Sequence, residues 1–303
     1  YTTLDGWEET PVCDWTCNTD YYEESGSCIN TREVDCLANT EKPANSSDVV
    51  VKHTINYTTD DGWEETPVCE WACDNCFMLT VSGEECEVQP VVFVDINASG
   101  DETGWNWADA KTDLSDAIDN ACAGQDIWVA QGIYHPATCP NRPTCNLREE
   151  HFTMKNNVGI YGGFNGTETL LTERNVELYE TILSGDFYED DGEWEEELVW
   201  DEELEEDVLR GRFINSEENA MNVFYHPEGL NLDGSAMIDG ITVTGGNADS
   251  YPYYFGAGIN NGSNNKIVVT NCYFTRNYSG NYGGAIHNGT GSYEEGEYVP
   301  HAG

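Results

Sequence analysis

Four acidic residues close in sequence, Asp186, Glu189, Asp190 and Asp191, offer a set of hard oxygen donors. Carboxylates spaced this way suit a large hard cation such as calcium, although the strict spacing of a helix–loop–helix calcium site is absent. A second chemistry asks for carboxylates near a base, as in enzymes that cleave polysaccharides by proton abstraction or acid–base hydrolysis. Asp186, Asp233 and Asp239, with Arg276 and Lys266 as the nearest bases in sequence, are the residues such a lyase or hydrolase would use. No Gly-His-Gly, Arg-Ile-Lys or paired-Asp signature accompanies them. The Asp190-Asp191 pair lies in an acidic stretch where a hydrated loop is the default, so the chain reads as non-enzymatic.

The six histidines (53, 135, 151, 226, 287 and 301) show no i, i+4 pairing and no His-Glu-x-x-His, so they read as turn or surface residues. Gly256-Ala-Gly258 and Tyr161-Gly-Gly-Phe164 resemble phosphate-cradling loops, but no helix follows either. They read instead as corners that need positive φ. Tyr251, Tyr253, Tyr254 and Phe255 form an aromatic cluster that would suit a sugar face if exposed.

The cysteines carry a different message. Residues 1–17, YTTLDGWEETPVCDWTC, return at 57–73 as YTTDDGWEETPVCEWAC, so the chain holds two copies of a small module. Cys13, Cys17, Cys28 and Cys36 fall with the first copy, and Cys69, Cys73, Cys76 and Cys86 with the second. Modules this short bury too little apolar surface to fold on that alone, and disulfides are the expected staple. Local pairing within each module is expected, and Cys139 with Cys145 would close a short loop. Cys122 and Cys272 are left over. Zinc is the rival reading, because Cys73 and Cys76 have the Cys-x2-Cys spacing, but the first copy has no counterpart to Cys76.

Disulfides point to an oxidising compartment, hence a secreted or cell-surface protein. Seven Asn-x-Ser/Thr sequons, at Asn45, Asn56, Asn97, Asn165, Asn261, Asn277 and Asn288, would accept glycan on a secretory route. The chain opens at Tyr1 without a leader, as expected of a processed product or a portion of something longer. No stretch approaches the roughly 20 apolar residues of a membrane span. The 303 residues carry a formal net charge of −45, which argues against nucleic acid or an anionic membrane as partner. Self-repulsion at this charge costs stability, and salt or bound cations such as calcium would offset it.

The elements that must position these groups read as mostly β. Val49, Val51, Ile55 and Tyr57 alternate with polar residues as a half-buried strand does. Residues 107–122 show a helical stripe of Leu114, Ala117, Ile118, Ala121 and Cys122. Short strands follow at 91–94, 127–130, 152–155, 158–161, 181–183, 221–225, 236–244 and 266–274, separated by Gly/Asn turns. Related segments recur within the last hundred residues: Ile241–Asn247 with Cys272–Tyr278, and Gly256–Ile259 with Gly283–Ile286. Such spacing is what a coiled β-solenoid needs. The stretch 189–207 has thirteen acidic residues in nineteen. It reads as a solvated loop, or as a short helix in which Trp194–Leu198 and Trp200–Leu204 are i, i+4 pairs.

VFVDINASGDETGWNW, DAIDNACAGQDIWVAQGIYHP, FTMKNNVGIYGGFNGTETLLTERN, ILSGD, IDGITVTGGNAD and GGAIHNG form an ordered series over about 91–291. This series resembles bacterial surface proteins with right-handed parallel β-helix repeats, similar to polymorphic outer-membrane protein passengers. The 1–88 region resembles Trp/Cys-rich surface-protein modules. The resemblance implies an all-β chain: a right-handed parallel β-helix with an N-terminal capping helix, preceded by two small disulfide-stapled β modules. The expected domains are 1–48, 49–88 and 89–303, with an acidic insertion at about 187–212. The implied function is an extracellular structural or adhesive subunit whose partner is another copy of itself, joined head-to-tail into a fibre or coat. The alternatives are an adhesin that binds surface glycans and the polysaccharide-cleaving enzyme above.

Overall fold

The computed structural model describes residues 2–3, 6–7, 22–24, 27–29, 31–58, 61–74, 76–79, 83–136, 146–201, 205–249, 255–289, 291–294 and 297–300. The protein is mostly β and divides into two units, Tyr1–Val88 and Gln89–Gly303. Among the described residues no helix is long and apolar enough to cross a membrane.

In the first unit Lys52–Thr58 pairs antiparallel with Thr31–Asp35 on one side and with Gly62–Trp63 on the other. Ser46–Val49 pairs with Glu70–Cys73, and Phe77–Leu79 with Cys86–Val88. Its apolar burial is slight: Ile55, Cys69 and Cys86 are buried, whereas Leu37, Val50, Val68 and Val88 are all more than half exposed. Cross-links therefore carry the unit. Cys36 is bonded to Cys69 and Cys73 to Cys86, and Cys76 is also disulfide-bonded. Two expectations change. The Cys36–Cys69 bond joins the two repeats rather than closing one, and a boundary at 48/49 cuts the strand Ser46–Val49. The zinc reading of Cys73 and Cys76 falls because both are oxidised. Cys13, Cys17, Cys28, Cys139 and Cys145 have side chains outside the described residues.

The second unit is built from strands that pair in parallel with partners far along the chain. The first sheet stacks Val91–Val94, Asp126–Ala130, Gly159–Phe164, Asp233–Asp239 and Lys266–Thr270 in that order. Its register places Val92, Ile127, Ile160, Ile238 and Val269 above one another, and the middle three are fully buried. A second sheet aligns Tyr134, Leu183, Val243 and Phe274, and a third aligns Phe224, Ile259 and Ile286. The inward faces of the three sheets share one apolar core. Alternation supplies the inward residues, and corners at positive φ separate the strands.

Those corners divide two of the expected strands. Gly240 (φ 73°) splits 236–244 into Asp233–Asp239 and Thr242–Thr244, and Asn271 (φ 49°) splits 266–274 into Lys266–Thr270 and Tyr273–Phe274. A side chain at 240 would place its Cβ only 2.4 Å from Val176 Cγ1, so glycine is required there. The expected strand at 152–155 reduces to one bridge, Phe152 to Phe224.

The helix is shorter than its stripe suggests, spanning Leu114–Asn120. Lys111 is drawn into strand pairing, its N–H donating to Phe93 O while its carbonyl accepts from Asp95, so helical geometry starts only beyond it. Asp113 then caps the helix, its Oδ1 accepting from Ser115 N at 2.7 Å and Asp116 N at 3.2 Å. Leu114, Ala117 and Ile118 are buried against the first two strands of the first sheet.

The acidic insertion is neither loop nor helix. Trp194–Asp201 and Glu206–Phe213 form an antiparallel hairpin in unbroken register from Trp194↔Phe213 to Asp201↔Glu206. Trp194, Glu196 and Leu198 fall on one face by period-two alternation, with Leu209 and Phe213 opposite Leu198 and Trp194. Glu195 stands opposite Arg212, so opposite charges occupy paired positions across the strands.

Candidate metal centre

The strand Thr181–Ser184 delivers Asp186 to the end of the second sheet through Gly185, where the chain passes close to Gly245. A Cβ on Gly185 would lie 2.5 Å from Gly245 O, so this crossing needs glycine. Asp186 is 92 % buried, being 8 % exposed, and its carboxylate shapes the loop that follows. Oδ1 accepts from Tyr188 N at 3.2 Å and Asp190 N at 3.3 Å, and Oδ2 accepts from Asp191 N at 3.1 Å.

The far flank of the hairpin returns to the same place. Ala220 N–H donates to Gly185 O at 2.8 Å, and Asn247 Nδ2 holds Ser216 O at 2.6 Å. This fixes 216–220 beside the loop and brings Glu218 to Asp186 and Asp190. One carboxylate oxygen from each of the three lies within 4.8 Å of the others. Asp191 adjoins them, its Oδ2 accepting from Asn219 Nδ2 at 3.0 Å. Glu189 does not converge: it sits at φ 55° and lies against His135, Oε1 to Nε2 at 3.3 Å. Of the four residues expected from sequence, Asp186 and Asp190 converge, Asp191 lies beside them on Asn219, Glu189 turns to His135, and Glu218 completes the set.

The cluster is electrostatically tense. Burial, reinforced by the charges of Asp186 and Asp190, pushes the Asp191 carboxyl up to about 6 even though Asn219 and Arg276 oppose the shift. Burial pushes Glu218 up to about 7, with the charges of Asp190, Asp186 and Asp191 adding to it. Arg276 spends its hydrogen bonds on the carbonyls of Asp191 and Gly192 and lies over the Phe213 ring at 4.7 Å. An oxygen-only set with excess negative charge can hold a hard divalent cation.

The other expected residues scatter. Asp239 is engaged by Arg174 at 2.8 Å and by Asn271 Nδ2 at 2.8 Å. Asp233 accepts from Ser235, whose hydrogen bonds hold its carboxyl below the usual range, and stands beside Lys266 in the sheet. Asp233 and Asp239 occupy opposite ends of one strand, roughly 20 Å apart at 3.3 Å per residue, so they serve no common substrate atom. Phe255 is buried, stacked on His287 at 4.6 Å and Tyr282 at 5.9 Å, and so presents no free face to a sugar. Tyr251, Tyr253 and Tyr254 lie outside the described residues.

The sequons divide by environment. Asn45, Asn56, Asn97, Asn165 and Asn288 are exposed. Asn261 is 4 % exposed inside a sheet and donates to Asn288 Oδ1 at 2.7 Å, and Asn277 gives its amide hydrogens to Val243 O and Thr275 O. Neither of the last two can take a glycan without breaking those bonds. Cys122 is disulfide-bonded, whereas Cys272 is a free thiol, half-buried and held above its ordinary range by burial, so the two leftover cysteines do not meet. His226, read as a surface or turn residue, is fully buried, with Nδ1 against Asn261 Oδ1. Burial lowers its imidazole to about 4.

Glu218 and Asn219 were the residues hidden from sequence reasoning. One signal could have found them: an insertion that leaves and rejoins a sheet brings its two flanks together, and both flanks are acidic, 186–191 before and Glu217–Glu218 after. Compared with known protein-family models, curated proteins and solved structures, the chain matches none.

Proposed function

We propose that this chain is an extracellular structural or adhesive protein whose second unit is a right-handed parallel β-helix, and that copies associate head-to-tail into a fibre or coat. The observation that carries the reading is the inward ladder Val92–Ile127–Ile160–Ile238–Val269, in which like residues repeat at one register position through five parallel strands. Such stacking extends by adding a further layer, because each parallel strand offers its free edge to the next.

The outermost described strands carry apolar groups at that edge, with Tyr273 64 % exposed, Val268 38 % and Ile286 36 %. Side-chain polarity supports a scaffold rather than a reaction centre. Asn261 bridges His226 and Asn288, Asn277 ties adjacent layers, and Asp239 is neutralised by Arg174. Disulfides in the first unit support an extracellular setting. Negative-stain microscopy across a concentration series, with calcium present, is the test. Filaments or stacked oligomers support the proposal, and uniform monomeric particles at every concentration overturn it.

A further inference from the structure

We propose that Asp186, Asp190 and Glu218, with Asp191 and Asn219 beside them, form a binding site for one calcium-class divalent cation that staples the base of the acidic hairpin. The acidic grouping alone would not carry this. The independent observation is Asn219, only 1 % exposed, which aims its amide into the cluster through Nδ2 on Asp191 while its Oδ1 has no hydrogen-bond partner among the described residues. Asp191 Oδ1 and Glu218 Oε1 are likewise buried without a partner. Three buried acceptor oxygens with no donor are the reverse of what a folded interior tolerates. A cation held by Asp186, Asp190 and Glu218 would bring positive charge to this group of unpaired oxygens.

Chemistry favours calcium. The carboxylate oxygens of Asp186, Asp190 and Glu218 lie close enough together to share one ion. Carboxylate and amide oxygens in an irregular arrangement suit its flexible shell better than the strict octahedron of magnesium. Zinc would want nitrogen or sulfur, and His135 is turned to Glu189 and to Ser184 O.

Placement gives the site its role. Asp186 and Asp190 precede the strand Trp194–Asp201, and Glu218 follows the strand Glu206–Phe213. Two backbone bonds between Gly192, Glu193 and Ile214, and Asn215 Nδ2 on Asp190 O, close the hairpin at the same point. A cation shared by the two flanks therefore couples occupancy to the order of the hairpin. Glu218 is the ligand that makes the coupling, since among the three converging carboxylates it alone comes from the far side. This holds whether or not the chain assembles.

The test uses the full chain, stripped with EGTA and titrated with calcium by calorimetry, and with terbium by luminescence, at fixed pH in 150 mM NaCl-strength buffer (about physiological screening). One saturable site is expected, from which calcium displaces terbium. E218Q and D186N should each weaken it at least about tenfold, with circular dichroism reporting that the variants fold. E189Q, altering the residue held by His135, should stay within about twofold. A Glu-specific protease should cut the hairpin several-fold more slowly with calcium in the wild type, with no such protection in E218Q. Diffuse weak binding that E218Q leaves unchanged, or equal loss in E189Q, would overturn the proposal.

Discussion

Cys36 and Cys69, 33 residues apart in sequence, are joined by a disulfide that ties the end of the first repeat to the start of the second repeat's Cys-x-Trp-x-Cys core. The strand pairing follows the same path, since Thr31–Asp35 adds to Lys52–Thr58 and Ser46–Val49 to Glu70–Cys73. The repeats are thus interleaved through bonds and sheets, although the repeated sequence suggests independent beads.

Non-reducing peptide mapping should recover Cys36 linked to Cys69 and Cys73 linked to Cys86, with Cys272 alkylated only after unfolding. Replacing Cys36 and Cys69 together by serine should destabilise the first unit by about 2–4 kcal/mol, because so little apolar surface is buried there. Recovery of Cys36 bound to a cysteine of 1–35 would contradict the interleaved arrangement.

The buried ladder gives a second expectation. Ile160 is fully buried between Ile127 and Ile238, so Ile160→Ala should cost about 2–5 kcal/mol in denaturant unfolding. Leu198→Thr, on the exposed hairpin face, should stay within about 0.5 kcal/mol. Equal losses at the two positions would mean that the core is not where the parallel sheets place it.

How legible these features were depended on whether local pattern and tertiary pairing agreed. The strands of Ile127, Ile160 and Ile238 were readable because short apolar runs end at Gly/Asn turns, whereas the breaks at Gly240 and Asn271, within strands expected to be continuous, were missed although both residue types accept positive φ. The hairpin was misread for a specific reason. A spacing of four, as in Trp194–Leu198, satisfies both the helical period and twice the strand period, so it does not discriminate between them. The helix was overextended because nothing local reveals that Lys111 is claimed by Phe93 and Asp95. Glu218 was missed because its partners lie across the whole hairpin.

His226 should titrate far below an ordinary histidine. Its folded value of about 4, against 6.5 for the free side chain, is caused by burial, with Asn261 partly opposing it and the charge of His151 adding to it. A depressed base contributes stability that is fully present above pH 6.5 and is lost as pH falls toward 4, up to roughly 3 kcal/mol. Imidazole chemical shifts followed by NMR check this directly. A His226 midpoint near 6.5 would show that the ring is hydrated rather than enclosed.

Expression in a glycosylating secretory host should separate the sequons. Glycan is expected at the exposed Asn45, Asn56, Asn97 and Asn165, and none at Asn261, whose amide is enclosed by the sheet. Glycopeptide mass spectrometry decides it. Full occupancy of Asn261 would require that strand to be open when the transferase meets it.

Sedimentation velocity of the disulfide-intact chain over a hundredfold concentration range, with calcium, tests the structural role most directly. Head-to-tail stacking through the free sheet edges should shift the distribution progressively to larger species, and charge-introducing substitutions Val268→Glu and Tyr273→Lys should abolish the shift without unfolding the protein. A single monomeric boundary at every concentration, unchanged by those substitutions, would contradict it.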